Sequence, residues 1–282
     1  MTGEPAGPRA GATELTARGA GRIRTASDRG KLDSVRNAAR LLKQFSYREQ
    51  ELGVSELARR LGLGKSTAHR LVATLTAEHL LEQNRETGKY RLGLAIYDLG
   101  ASISAHFALH EAALPSMAQL RNATGETVHL AVLDGREVVY IDRLDSPDSV
   151  RMFLEVGRRN WAHCTATGKV LLAHVPDDRL DRLLIGWELK EKTPSTITDH
   201  HLLREELMKV RRRGWAHNRY ESEAGHLSVG APVRNAMGDV VAAMSVAGPA
   251  ERMDPALDRI TMELLEAAAA GSRRMGYRRA AP

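Results

Sequence analysis

Residues 54–75, VSELARRLGLGKSTAHRLVATL, and residues 80–93, LLEQNRETGKYRLG, decide how the N-terminal part of this chain reads. The first half spaces Leu57, Ala58 and Leu61 as the buried face of a helix that Ser55 is placed to cap, leaving Arg59 and Arg60 in solvent. Gly62 breaks that helix. After Leu63 and Gly64 the helical period resumes, with Ala68, Leu71, Val72 and Leu75 on one face and Lys65, Ser66, Thr67, His69, Arg70 and Thr74 on the other. A helix of this kind fits the major groove of B-DNA, where side chains near its N-terminus reach base edges and the preceding helix crosses the backbone. Lys65, Ser66, Thr67 and Arg70 are the expected base contacts, with Ser55 and His69 beside them.

A three-helix unit with a polar surface helix also occurs in domains that touch no nucleic acid, so the next segment matters. Between Leu80 and Leu92 the pattern is strand, polar turn with Gly88, strand, and the second strand carries Lys89, Tyr90 and Arg91. Such a wing can lie along phosphates, with Lys89 and Arg91 as contacts. Gly64, Lys65 and Ser66 look like the end of a phosphate-binding P-loop, but its first glycine position holds Arg59, which excludes that reading.

The 282 residues are enough for two domains, and 43% hydrophobic residues can supply two cores. A net charge of +6 favours polyanionic partners. No apolar run is long enough to span a bilayer and the N-terminus lacks a secretory pattern, so a cytoplasmic protein with no membrane partner is expected, nucleoid-associated through DNA. One cysteine, Cys164, agrees with a reducing compartment. Residues 1–30 read as a disordered basic arm carrying Arg9, Arg18, Arg22, Arg24 and Arg29. Residues 31–93 form the DNA-binding domain, whose first helix is capped by Asp33 or Ser34 and buries Val35, Ala38, Ala39, Leu42 and Phe45.

Residues 94–109 read as a linker and dimerisation helix, and the helical pattern continues around Pro115. Residues 110–276 then mix strands and helices, before a short tail at 277–282. TVHLAVL, EVVYIDRL and VRMFLEV read as strands, the first two joined at Asp134-Gly135. Helices are expected at 168–174, 177–184, 201–213 and 255–274, and strands in GWAHNRYES, LSVGAPVRN and DVVAAMSVAG. The fold class is α+β: a winged helix-turn-helix domain, a linker helix, and an antiparallel sheet domain with flanking helices.

From residue 31 to 276 the chain resembles the IclR family of bacterial transcriptional regulators. ELARRLGLGKSTAHRLVATL, GKYRLGLAIYDLG, ETVHLAVLDG, HCTATGKVLLA, TPSTIT, RRRGWAHNRYESEAG and GAPVRNAMGDVVAAMSVAGP follow one another in the family's order. The resemblance implies a GAF-like C-terminal domain that binds a small effector, often an organic acid or aromatic, in a dimer or tetramer on operator DNA. It implies no cofactor; repression and activation both occur in the family, and repression is the favoured reading. The effector site it implies comprises Cys164, Thr165, Ala166, Thr167 and Gly168, the segment with Asn218 and Glu221, and Ser228 and Ser245, with Met152, Leu154 and Trp161 as apolar walls. Backbone N–H groups at a helix N-terminus suit a carboxylate. This chain departs from the commonest pattern with Thr167 in place of Ser, Ser228 in place of Cys, and Ala247 where some members have a second serine. Glu221 is expected to pair with Arg219 or the arginines at 211–213, unless it meets the effector, and Thr165 and Thr167 could simply cap the helix.

Two other functions fit the residues less well. Cys164 with His163 or His129 would be a nucleophile pair, but neither an orienting carboxylate nor an oxyanion motif accompanies them. His200-His201, His106 with His110, and His163-Cys164 lack a third metal ligand at a recognisable spacing, so no metal is expected.

Overall fold

The computed structural model describes residues 32–46, 49–101, 104–147 and 157–278. The arm, Met152 and Leu154 with their expected strand, and the end of the tail lie outside the described residues, as does the side chain of His106. The chain divides into two compact units between Ile96 and Tyr97.

In the first unit, helix α1 (Asp33–Leu42) precedes the helix-turn-helix pair α2 (Val54–Leu61) and α3 (Lys65–Ala77). Gly62 ends α2 in the left-handed region at φ 65°, and the Leu63 N–H closes back on the Ala58 carbonyl at 2.9 Å. The short turn through Gly64 then starts α3. Strands β1 (Leu81–Gln83) and β2 (Tyr90–Leu92) form the wing, and Leu52 adds a bridge to Tyr90. Leu41, Leu52, Leu57, Leu61, Val72, Leu75 and Leu81 make the core, each contributing about 1.5–3 kcal/mol by burial.

Three details differ from expectation. Ser55 does not cap α2: extended Gly53 precedes the helix, and Ser55 lies exposed inside its first turn. In α1 neither Asp33 nor Ser34 is the cap, which falls on Leu32. The buried face is also rotated: Val35 is 61% exposed and Ala39 is exposed, while Leu41 is fully buried. Ala38, Leu42 and Phe45 are half-buried around it.

Helix α4 (Leu94–Ala101) leaves Leu94, Tyr97 and Leu99 exposed. Helix α5 (Ser104–Thr124) runs through Pro115. The second unit is built on one antiparallel sheet of six strands: β3 (Thr127–Asp134), β4 (Glu137–Leu144), β5 (Arg159–Trp161), β6 (Ala216–Arg219), β7 (His226–Arg234) and β8 (Val240–Pro249). Their order is β5-β4-β3-β8-β7-β6. The β3–β4 connection is the expected tight turn, with Gly135 at φ 62°.

Side-chain alternation gives the sheet two different faces. Val128, Leu130, Leu227, Val229, Ala231, Met244 and Val246 pack with α5 and with α10 (Leu257–Arg274). The other face, with Ala131, Tyr140, Ala216 and Ala243, packs under α6 (Ala166–Ala173), α7 (Asp177–Leu184) and α8 (His200–Arg213). A short helix α9 (Ala250–Met253) connects β8 towards α10, which therefore begins at Leu257 rather than at Pro255. No helix among the described residues is long and apolar enough to cross a membrane.

Candidate functional sites

The outer face of α3 is polar and open. Lys65, Ser66, Thr67, His69 and Arg70 are all exposed, whereas Ala68, Val72 and Leu75 are buried beneath them. The arginines of α2 are engaged instead. Arg59 bonds Glu56 at 2.6 Å, and Arg60 is held by Glu56 at 2.5 Å and Glu49 at 2.7 Å. The Arg59 and Arg60 guanidinium groups hold the Glu56 carboxyl down at about 2. The cations of α2 are thus braced against the unit's own acids, and those of α3 are available to a polyanion.

The wing is similarly divided. Asn84 Oδ1 accepts from the Glu86 N–H at 2.9 Å, while its amide donates to Glu51 at 2.7 Å and the Thr87 hydroxyl donates to the same carboxylate at 3.1 Å. Gly88 completes the turn at φ 68°. Arg91 donates across the hairpin to Glu82 at 3.0 Å, so it begins paired; Lys89 is exposed. Arg85, which the sequence reading passed over, is exposed at the tip between the two strands. Its place in the turn was the available signal.

In the second unit the residues expected around an effector meet at the N-terminus of α6. Trp161 leads into a 3-10 turn at Ala162–Cys164, and Thr165 caps the helix, accepting from the Gly168 N–H at 3.2 Å and donating to the Trp161 carbonyl at 3.2 Å. Gly168 is required here, since a Cβ would lie 2.1 Å from the Ala162 carbonyl oxygen. Gly230 on β7 allows the same closeness below: its Cβ would stand 3.0 Å from the Ala166 carbonyl and 3.2 Å from the Thr167 nitrogen. The start of α6 therefore rests on the sheet over Gly230.

Strand register sets the floor. One row across the sheet runs Asn218, Ser228, Ala247, Thr127, and the next runs Gly230, Ser245, His129. Asn218 is already satisfied locally, accepting from the Glu221 N–H and donating to the Ser222 hydroxyl, both at 2.7 Å. Tyr220 adopts φ 65°, unusual for a residue with a Cβ. The Thr193 hydroxyl donates to its carbonyl at 2.6 Å and that of Thr196 to the Glu221 carbonyl at 2.7 Å, which fixes Glu221.

Glu221 pairs with neither Arg219 nor the 211–213 arginines. Lys169, 2% exposed, bonds it at 2.6 Å and approaches Glu206 at 3.9 Å. Arg219 is taken by Asp254, Arg211 by Asp177 and the Ala173 carbonyl, and Arg213 by Glu206. Burial pushes the Glu221 carboxyl up, with Lys169 opposing, and its Oε2 has no partner. Thr167 Oγ1 is buried beside the Tyr140 phenol and bonds no backbone group of the helix, so of the two threonines only Thr165 serves as a cap. The Trp161 ring stands apart from this floor: it lines a surface cleft of about 600 Å³ with Arg136, Trp187 and Lys190, under Lys192 Nζ at 5.0 Å.

The nucleophile pair is not assembled. Burial pushes the Cys164 thiol up to about 11, so it stays protonated near neutrality, and His163 Nε2 meets the Lys190 carbonyl at 3.1 Å. His200 Nε2 donates to the Trp187 carbonyl at 2.7 Å. No cluster of three or more His, Cys, Asp or Glu side chains suited to a metal occurs among the described residues.

Comparison with known proteins agrees with both halves. Residues 34–85 match the IclR helix-turn-helix domain and residues 101–273 the C-terminal domain of bacterial transcriptional regulators of the IclR type. The HTH-type transcriptional regulator XynR of Escherichia coli K12 is 35% identical over 247 residues, covering 87% of this chain and 98% of the relative. KdgR of the same organism is 35% identical over 248 residues, covering 87% and 94%. Among solved structures, an IclR homologue from Microbacterium hydrocarbonoxydans in complex with 4-hydroxybenzoate is 29% identical, with a TM-score of 0.77 and coverage of 86% and 98%.

Proposed function

The chain belongs to the IclR family of bacterial transcriptional regulators, DNA-binding proteins and not enzymes, and on that premise we propose that it is a cytoplasmic repressor whose operator affinity responds to a small organic or aromatic acid. The observation that carries the DNA half is the contrast between α2, whose arginines are tied to Glu49 and Glu56, and α3, whose Lys65, Ser66, Thr67, His69 and Arg70 are exposed. In this reading Lys65 and Arg70 reach base edges, Ser66, Thr67 and His69 border them, and Lys89 meets phosphate. Arg91 joins by exchanging Glu82 for phosphate.

The effector's carboxylate lies at the N-terminus of α6, where the first N–H groups have no intrahelical partner, and Thr167 adds a hydroxyl. Cys164, Ala166, Ser228, Ser245 and Glu221 border it. The exposed Leu94, Tyr97 and Leu99 of α4 support self-association as a dimer, or a dimer of dimers, which pairs two reading heads on a two-fold operator. Ligand binding then shifts populations between arrangements of those heads, and a preference of about 1.4 kcal/mol for one arrangement changes occupancy tenfold.

Fluorescence anisotropy of the full chain on its own upstream DNA and on a scrambled duplex, across a salt series, tests the reading. Specific binding at least ~10³ tighter with a steep salt slope is expected. Equal, weak binding to both duplexes in the presence and absence of candidate acids would refute it.

A further inference from the structure

The sheet floor under α6 carries one group that the proposed function leaves unused. His129 on β3 is 1% exposed, and its Nε2 has no hydrogen-bond partner. It lies in the row that runs from Gly230 through Ser245. Gly230 sits directly beneath the start of α6, and one strand, β8, separates it from His129. At about 4.8 Å per strand, His129 is therefore roughly 9.5 Å from the helix N-terminus along the floor. Between them the row contributes only the hydroxymethyl of Ser245, and the adjacent row contributes Ser228 and Ala247. The His129 ring lies 5.1 Å from that of Tyr140, whose phenol adjoins Thr167, so the same neighbours link both ends of the row.

We propose that His129 reads a second, uncharged hydrogen-bonding group on the effector, so that the site takes hydroxylated carboxylates, with the acid at α6 and the distal hydroxyl at His129. The proposal rests on the reading of the α6 N-terminus as the carboxylate site. The imidazole is suited to this task. Burial, with the nearby Arg143 charge, pushes its pKa down to about 3, so it remains neutral and can donate to or accept from a hydroxyl. A second carboxylate would find no countercharge on this ring. An unpaired ring nitrogen is costly to bury, and of the histidines with a buried one, His163, His217 and His129, it is His129 that lies in the row under the start of α6.

Isothermal titration of the full-length chain with matched acids separates the two ends. The probes are 4-hydroxybenzoate against benzoate and 4-hydroxybutyrate against butyrate. Wild type is expected to bind one hydroxylated acid about tenfold more tightly than its partner lacking the hydroxyl. His129→Leu abolishes that preference while retaining the unsubstituted acid, His129→Asn keeps part of it, and Thr167→Val weakens both members of the pair. Equal binding within both pairs by wild type, or a preference that survives His129→Leu, overturns the role of His129 and leaves the carboxylate site standing. Binding of none of the four acids overturns both. Thermal unfolding gives a ligand-independent readout: His129→Leu raises the midpoint because an unpaired polar atom is removed, and a lowered midpoint for both His129 variants marks a structural histidine and overturns the proposal.

Discussion

The two units use polar side chains in opposite ways. On α3 the polar residues are exposed and unencumbered, over a core of ordinary aliphatic residues. Under α6 they are buried within a sheet domain: Lys169 against Glu221 and Thr167 beside the Tyr140 phenol, with Glu221 Oε2 and His129 Nε2 unpartnered. An exposed face can wait for DNA at no folding cost, because water satisfies it until phosphate or bases arrive. A buried polar site depresses stability unless each group is matched, and the unmatched ones mark where a ligand has something to supply.

The sharpest way to break this contrast is in the second unit. Lys169→Met leaves the Glu221 carboxylate buried without its cation and is expected to cost about 3–5 kcal/mol of stability. Lys169→Met with Glu221→Leu should recover most of it, as read by urea unfolding. A small loss in the single variant would mean that Glu221 is already protonated or solvated.

Acid should act on the same unit. Burial holds His129 at about 3 and His217 at about 4, below the histidine value of about 6.5 in an unfolded chain. The unfolded state therefore takes up protons first, and stability falls as pH drops from about 6.5 towards 4, at about 1.4 kcal/mol per pH unit for the fully buried His129. Urea unfolding at stepped pH checks this, and His129→Leu should flatten the slope.

In the first unit, Arg70→Ala should cost about 1–3 kcal/mol of specific operator affinity and relax base preference, with circular dichroism unchanged. Arg91→Ala should have the smallest effect of these changes, because its guanidinium is already shared with Glu82. If Arg91→Ala weakens DNA binding more than Arg70→Ala, the division between free and braced cations is wrong.

These differences also explain what the sequence could reveal. The helix-turn-helix was legible because its periods and Gly62 are local, and every strand and helix expected in the described part of the sheet domain is present within a few residues. Local rules failed at helix starts: Ser55 has the chemistry of a cap, but the chain is already helical at Val54, and the face of α1 turns on Leu41 rather than Val35 and Ala39. The ion pair of Lys169 joins residues 52 positions apart, and the nearer Arg211, Arg213 and Arg219 have other partners. The free nitrogen of His129 likewise depends on what surrounds β3 in space, which no periodicity in TVHLAVL encodes. Thr165 and Thr167, equivalent as letters, separate only when the first is seen to cap α6.

The most direct measurement is the coupling between the two sites: operator affinity by fluorescence anisotropy as 4-hydroxybenzoate, benzoate, 4-hydroxybutyrate and butyrate are titrated in turn, for wild type and Thr167→Val. A dose-dependent change of about tenfold in wild type, blunted in Thr167→Val while its affinity for DNA alone is unchanged, is the predicted result. Contradiction would come from an acid that binds the chain by calorimetry and leaves operator affinity unmoved, because a ligand that prefers neither arrangement cannot regulate.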